Sequence, residues 1–395
     1  MVPVSGIAPN AIGISLSSYP AIVKQIDFDK YDCGLKKSGH GQQACGPVRQ
    51  KAPKMTYRIM DVAHEAGVSK STVSRVLNHS NSVDPETRRR VLQAAQKLNF
   101  YPNASAQRLA RGKSDFFGLL ISDIENPVFA EMIKGFETAA AAKGYNLFLC
   151  ATNYDTHRME SAVRKMIENG VRGVAIMTSS ATEEMAHQLA VRQIAVVVVD
   201  LEVTRRFVGS ITIDYYGGVS QAIEHLAQLG HEKIAFLSGP DERRSARRYR
   251  ETVLKVLAEH RVKLHQIVEC DQTLEGGRAA VWKMSAYPDA PTALICINDL
   301  TAIGAMSALR EKGVRVPGQV SVLGCEDIYM ARFVNPPLTT VKLDRACLGK
   351  MAFDVLERMS RAKQPKGTKE ILQTQLIVRS STAARNPEPV IWNRE

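Results

Sequence analysis

Two sets of residues in this 395-residue chain have types and spacing that suit recognition chemistry, and neither is built to make or break bonds. The first runs from Lys70 to Asn78. At helical spacing Val73, Val76 and Leu77 fall on one side, while Ser71, Ser74, Arg75 and Asn78 share the other, with Lys70 at its N-terminal edge. That outer face offers hydrogen bonds and positive charge but no carboxylate, which suits the base edges and phosphates of a DNA major groove. The plainer alternative is the solvated face of a small helical hairpin. The second set follows apolar runs: Asp200 after 196–199, Asn298 after 294–297, and Glu326 after Leu323-Gly324-Cys325. If those runs are parallel strands, their carboxyl ends are where open α/β sheets bind small ligands. A helix N-cap or a core residue is the alternative for each.

Catalytic machinery is not evident. No G-x-G-x-x-G follows a strand, and G-x-x-x-x-G-K-[ST], H-E-x-x-H and G-x-S-x-G do not occur. His231 stands alone in a turn, and Cys33, His40 and Cys45 are too irregularly spaced for a metal centre. The expectation is a binding protein without catalytic residues, metal or cofactor.

The elements that would position these residues can be read outward from them. Ile59, Val62, Ala63 and Ala66 lie at i, i+3, i+4 and i+7, the apolar stripe of a first helix. Gly67 ends it as a left-handed cap, and the Ser69 hydroxyl caps the next helix. Asp84-Pro85 provides an N-cap and a proline at the first helical position, and Val91, Leu92, Ala95 and Leu98 give a third helix its inner face. Its Arg88, Arg89 and Arg90 are either a solvated side or phosphate contacts. Next come Tyr101-Pro102-Asn103 and a segment, 104–111, too short to be a stable helix alone. From Phe116 onward apolar runs at 116–122, 146–151, 174–178, 195–200, 234–238, 293–298 and 320–323 alternate with helical segments, which gives parallel sheets covered by helices. The length of this region suits two lobes rather than one.

The formal charge is +12, and its excess sits between Met55 and Lys113, around the donor face, as phosphate contacts require. The 7 cysteines are odd in number and scattered, which points to a reducing cytoplasm. No run is long enough for a membrane span, and the N-terminus lacks the features of a signal peptide. Residues 1–54 are rich in Gly, Ser, Pro and Gln and read as an unfolded arm, either an upstream start-site extension or a regulatory tail.

The residue string is more specific than its pattern. Asp61-Val62-Ala63, Ala66-Gly67-Val68-Ser69 and Thr72-Val73-Ser74-Arg75-Val76-Leu77-Asn78 closely resemble, without a gap, the DNA-binding headpiece of the LacI family of bacterial repressors. The resemblance implies an N-terminal all-α helix-turn-helix headpiece plus hinge helix, then an α/β two-lobed, periplasmic-binding-protein-like effector domain with parallel sheets. It divides the chain into a disordered arm (1–54), a headpiece (55–102), a hinge helix and linker (103–114), an effector-binding and dimerisation domain (115–385) and a tail (386–395). Lobe one would comprise 115–212 and 345–371, and lobe two 213–344 and 372–385. DNA contacts are implied for Lys70, Ser71, Thr72, Ser74, Arg75 and Asn78, and for Asn103, Ala106 and Leu109 in the hinge, where Leu109 matches a leucine that wedges into the minor groove. Asn126-Pro127, Leu229-Gly230-His231, Ser238-Gly239-Pro240, Asn298-Asp299 and Pro336-Pro337-Leu338 carry the resemblance through the lobes.

For the cleft between the lobes, the resemblance implies effector contacts from Asn126, Phe129, Asp200 and Asn298. Three positions depart from the family pattern. Glu326 stands where most relatives carry aspartate. Tyr249 falls where many have an arginine that clamps the effector, although Arg248 and Arg250 flank it, and Gln272 replaces an aromatic. The run Arg243, Arg244, Arg247, Arg248 and Arg250 around Ser245 suggests a grip on an anionic effector, a sugar acid or sugar phosphate, with a neutral sugar as the alternative. The whole reading is a cytoplasmic, homodimeric regulator, taken as a repressor, on near-palindromic double-stranded operator DNA. A small polar metabolite, a sugar or sugar derivative, would control its affinity, and the direction of that control stays open. A transport component of the same fold would need an export signal and no recognition helix.

Overall fold

The computed structural model describes residues 57–78, 80, 82–101, 114–285 and 290–386. The arm, the hinge positions Asn103, Ala106 and Leu109, and all but the first residue of the tail lie outside the described residues.

The first unit consists of α1 (Ile59–Ala66), α2 (Lys70–Leu77) and α3 (Pro85–Lys97). The Arg58 backbone N–H donates to Asp61 Oδ2 at 2.6 Å where α1 starts. The helix stops at Gly67, whose φ of +63° carries no Cβ penalty in glycine. Thr72 N donates to Ser69 Oγ at 3.2 Å and Thr87 N to Asp84 Oδ1 at 2.9 Å, so both expected caps form. Val62, Ala66, Val73, Val76, Val91 and Ala94 close a small apolar core. Leu92 is a correction. It is exposed, because the residues one turn on from Val91 that face α1 and α2 are Ala94 and Ala95.

The rest of the chain alternates strand and helix. In order come β1 (Phe116–Ile121), α4 (Pro127–Ala142), β2 (Asn146–Ala151), α5 (Thr156–Glu168), β3 (Gly173–Met177), α6 (Glu183–Ala190), β4 (Ala195–Val199) and β5 (Val208–Asp214). Then follow α7 (Tyr215–Gln228), β6 (Ile234–Ser238), α8 (Arg244–Glu259), β7 (Leu264–Glu269), α9 (Leu274–Met284), β8 (Ala293–Cys296), α10 (Asp299–Glu311) and β9 (Ser321–Glu326). The last elements are β10 (Thr339–Leu343), α11 (Arg345–Arg361) and β11 (Lys369–Ile377).

Strand order is β2-β1-β3-β4-β5-β11-β10-β9-β8-β6-β7, and among these strands only β10 and β11 pair antiparallel. Two half-sheets meet at β11, which pairs with β5 through 369–373 and with β10 through 374–377. The chain thus passes between halves after β5, after β10 and within β11. The β3 and β4 runs are buried throughout, which is why they read as unbroken apolar strings. β5, β7, β10 and β11 lack such a string and were not anticipated as strands. β7 is a half-buried sheet edge, and β11 alternates exposed and buried as it joins the halves.

Helix packing in the second half is unusually close at one crossing. A Cβ on Gly304 of α10 would stand 1.9 Å from the Leu274 carbonyl oxygen, and one on Gly277 of α9 would stand 2.0 Å from that of Thr301. Glycine lets the two backbones meet, and this seats the start of α10 beside Gln272. No helix among the described residues is long and apolar enough to cross a membrane.

Candidate functional site

On α2, Lys70, Ser71 and Arg75 are exposed, and Thr72, Ser74 and Asn78 are half-buried. Ser69 Oγ lies 2.8 Å from Ser71 Oγ and 2.9 Å from Thr72 Oγ1, and Asn78 Nδ2 donates to Ser74 Oγ at 3.3 Å. Lys70 and Arg75 make no ion pair among the described residues. The cations of α3 behave differently: Arg89 pairs with Glu86 at 2.8 Å, Lys97 with Glu65 at 2.6 Å, and Arg88 donates to the Ser80 carbonyl. Charge on α3 is therefore largely engaged within the headpiece, while the charge of α2 points outward and can meet phosphate or a base edge.

A cleft of about 800 Å³, open mouth included, lies where the carboxyl ends of the two half-sheets face each other. Ser122, Asn126, Phe129, Tyr154, Thr178 and Asp200 line it from one half, and Arg243, Arg244, Ser245, Gln272, Asn298 and Glu326 from the other. Asn126 Oδ1 accepts from Val128 N at 3.1 Å and Asn298 Oδ1 from Thr301 N at 2.9 Å, so each caps a helix as well as facing the cleft. Asn298 Nδ2 also donates to the Gln272 carbonyl at 3.1 Å.

Arginines from the start of α8 span the gap. Arg248 Nη1 donates to Asp200 Oδ1, and Arg244 Nη2 to the Ala181 carbonyl. The Arg243 guanidinium lies 4.2 Å from the centre of the Tyr154 ring and donates to Gln272 Oε1 at 2.8 Å. Such a stack over an aromatic face is favourable for a guanidinium. Asp200 also accepts from Ile213 N and Tyr215 Oη, both at 3.3 Å.

Both acids facing the cleft sit on backbone with positive φ, +61° at Asp200 and +110° at Glu326. For Glu326 this is strained, and such strain gathers where a side chain must be aimed at a site. Burial raises the Asp200 carboxyl above its ordinary value, with Arg248 opposing the shift. Burial pushes Glu326 up to about 8, against the attraction of Arg345 and with the help of nearby Asp299. The Glu326 carboxyl is therefore largely neutral at pH 7.

Tyr249 and Arg250, expected in the effector site, are not brought to the cleft. Tyr249 is buried in the apolar core under α8, edge-on to Tyr215 at 5.5 Å. Arg250 turns away and pairs with Asp241 at 2.9 Å. The phase of α8 decides this: Ala246, Tyr249, Val253, Val256 and Leu257 are its inner stripe, which leaves Arg244 and Arg248, one turn apart, facing the gap. Of the two arginines that flank Tyr249, Arg248 is the one that reaches the gap, where it pairs with Asp200. Sequence reasoning named Arg244 within the arginine run but missed Tyr154 and Tyr215 as lining residues. Tyr154 lies just beyond the carboxyl end of β2, so the rule applied to Asp200 and Asn298 would have found it.

The comparisons with known proteins agree with this architecture. Residues 58–103 match the family described as bacterial regulatory proteins, lacI family, and residues 223–382 match a periplasmic binding protein-like domain. The HTH-type transcriptional repressor PurR of Pasteurella multocida (strain Pm70) is 33% identical over 331 residues, covering 83% of this chain and 99% of that protein. PurR of Mannheimia succiniciproducens is 34% identical over 327 residues, covering 82% and 98%. The lac repressor dimer bound to operator and the anti-inducer ONPF aligns with a TM-score of 0.75 at 29% identity, covering 83% of this chain and 99% of that one. The transcriptional regulator CelR in complex with cellobiose aligns with a TM-score of 0.62 at 26% identity, covering 82% and 99%.

Proposed function

This chain belongs to the LacI family of bacterial regulatory proteins and is a DNA-binding transcriptional repressor with a periplasmic-binding-protein-like ligand domain, and from that premise we propose that a small polar metabolite, a sugar or sugar derivative, controls its hold on operator DNA from the cleft between the half-sheets. The observation that carries this reading is the cleft itself, which two halves of the molecule line together and which arginines of one half bridge to the other. A ligand seated there touches both halves at once, so it has different contacts in any other arrangement of them. If operator binding also prefers one arrangement, each partner changes the affinity of the other by the same factor. The CelR neighbour, solved with cellobiose, supports a sugar-derived effector.

At the DNA, Arg75 and Lys70 reach base edges or phosphates, supported by Ser71, Thr72, Ser74 and Asn78, and the hinge positions Asn103, Ala106 and Leu109 engage the minor groove. The protein acts as a homodimer, as the solved lac repressor neighbour does on its operator, and a two-fold dimer requires a near-palindromic site. Its place is the cytoplasm, where the free thiols of Cys150, Cys270, Cys296, Cys325 and Cys347 would persist. Selection from random duplexes tests the reading. It should recover a near-palindrome with an easily kinked central step, and asymmetric single sites, or none, would overturn it.

A further inference from the structure

The charges of the cleft do not balance, and the imbalance has a definite location. Asp200 is answered by Arg248. Glu326 offers no counter-charge, since its carboxyl is buried and largely neutral, and Oε2 has no hydrogen-bond partner among the described residues. The guanidinium nearest to it, that of buried Arg345, is directed to the carbonyls of Glu326 and Asp327 and to Glu131. Among the described residues Arg243 and Arg244 form no ion pair with a carboxylate, and Arg244 only shares the field of Asp200 with Arg248, which holds that acid directly. The first is held by the neutral Gln272 amide and the Tyr154 ring. The second is held by the Ala181 carbonyl, and its Nη1 is buried without a hydrogen-bond partner among the described residues. A guanidinium does not lose its proton in a protein, so these are two fixed positive charges facing one small cavity.

Closing such a cavity over a neutral ligand would strip water from both guanidiniums and return only uncharged acceptors, a weaker compensation than an anion gives. A carboxylate or phosphate oxygen instead gives forked donors their natural acceptor, and the missing aromatic at Gln272 is no loss to a ligand that needs donors more than a stacking face. We propose that the cleft takes an anionic metabolite whose carboxylate or phosphate group is held by Arg243 and Arg244. The inference rests on the cleft being the effector site. Glu326, facing Arg345 from α11, Asp299 from α10, and Tyr154 and Tyr215, acts as a neutral hydrogen-bond donor to a second oxygen of the ligand, which an ionised carboxylate would repel.

The test is thermal unfolding of the full chain at constant ionic strength, set with chloride, in the presence of inorganic phosphate, D-glucuronate, D-glucose or hypoxanthine. Wild type, Arg243→Gln, Arg244→Gln, Arg244→Lys and Arg250→Gln are compared. Phosphate or glucuronate should raise Tm above the chloride control in wild type and in Arg250→Gln, and whichever acts at lower concentration tells phosphate from carboxylate chemistry. The apparent affinity should fall at least tenfold in the two cleft glutamine variants and by less in Arg244→Lys, which keeps the charge but loses the fork. No anion-specific shift in wild type, an equal shift in every variant, or a larger response to glucose or hypoxanthine than to either anion overturns the proposal. Operator selection by the same wild-type protein reports separately on the repressor reading, so anion binding can fail while that reading stands.

Discussion

The headpiece and the cleft both present arginines to a partner, but they are assembled in opposite ways. The donor face of α2 comes from consecutive residues, is braced by a core only three helices deep, and leaves Lys70 and Arg75 exposed. The cleft draws on strand ends and loops from Ser122 to Glu326, and its arginines are already engaged across the gap, with Arg248 on Asp200 and Arg244 on the Ala181 carbonyl. A polyanion with one charge every few ångströms can be met by loose cations, because each contact is interchangeable with its neighbours. A small ligand offers few contacts, so its site must be set beforehand and drawn from distant parts of the chain.

The contrast can be broken first at its scaffold. In Gly304→Val the new side chain meets the Leu274 carbonyl at a distance no packing tolerates, so the effector domain should lose about 3 kcal/mol or more. Denaturant unfolding followed by tryptophan fluorescence measures it, and the headpiece core, which shares no residue with the crossing, should keep its own stability in the full-length variant. Next comes Arg75→Ala, which should cost about 1–3 kcal/mol of operator affinity if Arg75 makes a bidentate base contact. Anisotropy titration reads this, while the phosphate or glucuronate response should stay at wild-type strength.

A smaller effect is expected from Arg248→Gln, which leaves Asp200 buried without its counter-charge. Because Arg248 is 29% exposed, the loss should be about 1–2 kcal/mol, below that for a fully buried pair. Asp200→Asn in the same background should recover part of it, since the orphaned charge is then gone; a full additive loss would mean the two side chains act separately.

The smallest effect sharpens the comparison through pH. Glu326 titrates at about 8 in the folded protein, well above the ordinary value of 4.5. The folded state therefore keeps a proton that the unfolded state has lost, and this contribution is complete below the ordinary value and is lost as pH rises through 8. Relative to Glu326→Gln, which cannot ionise, wild type should lose about 1 kcal/mol of stability between pH 7 and 9. Asp299, pushed up to about 7 by burial, titrates in both proteins but is coupled to Glu326, so the difference reports the pair rather than Glu326 alone. The headpiece has no such buried acid among its described residues, and its stability should be flat over the same range.

How much of this was legible in the sequence follows the same division. The caps at Gly67, Ser69 and Asp84 depend on neighbours within a few residues, and each formed as expected. Only the phase of α3 was misjudged, because Leu92 looked apolar enough to be inside while the smaller Ala94 held the inner position. In the lobes, strands buried on both faces were legible as apolar runs. β7 and β11 were not, since a sheet edge and the join between half-sheets do not select for apolar residues on both faces, and β5 and β10, although buried, were hidden by the Gly, Ser, Thr and Lys among their residues. In the cleft, Asp200, Asn298 and Glu326 could be placed from strand ends alone. Tyr249 and Arg250 could not be judged without the inner stripe of α8, and the Arg243 to Tyr154 stack joins residues that no local pattern connects.

The central claim is that occupancy of the cleft and grip on DNA are one equilibrium. The direct measurement is a closed pair of titrations on the full chain: operator duplex into protein with and without a saturating anion identified by the melting experiment, and that anion into protein with and without saturating operator. Both affinities should change by the same factor, in the same direction. An operator affinity indifferent to a filled cleft would contradict the account, however tightly the anion binds.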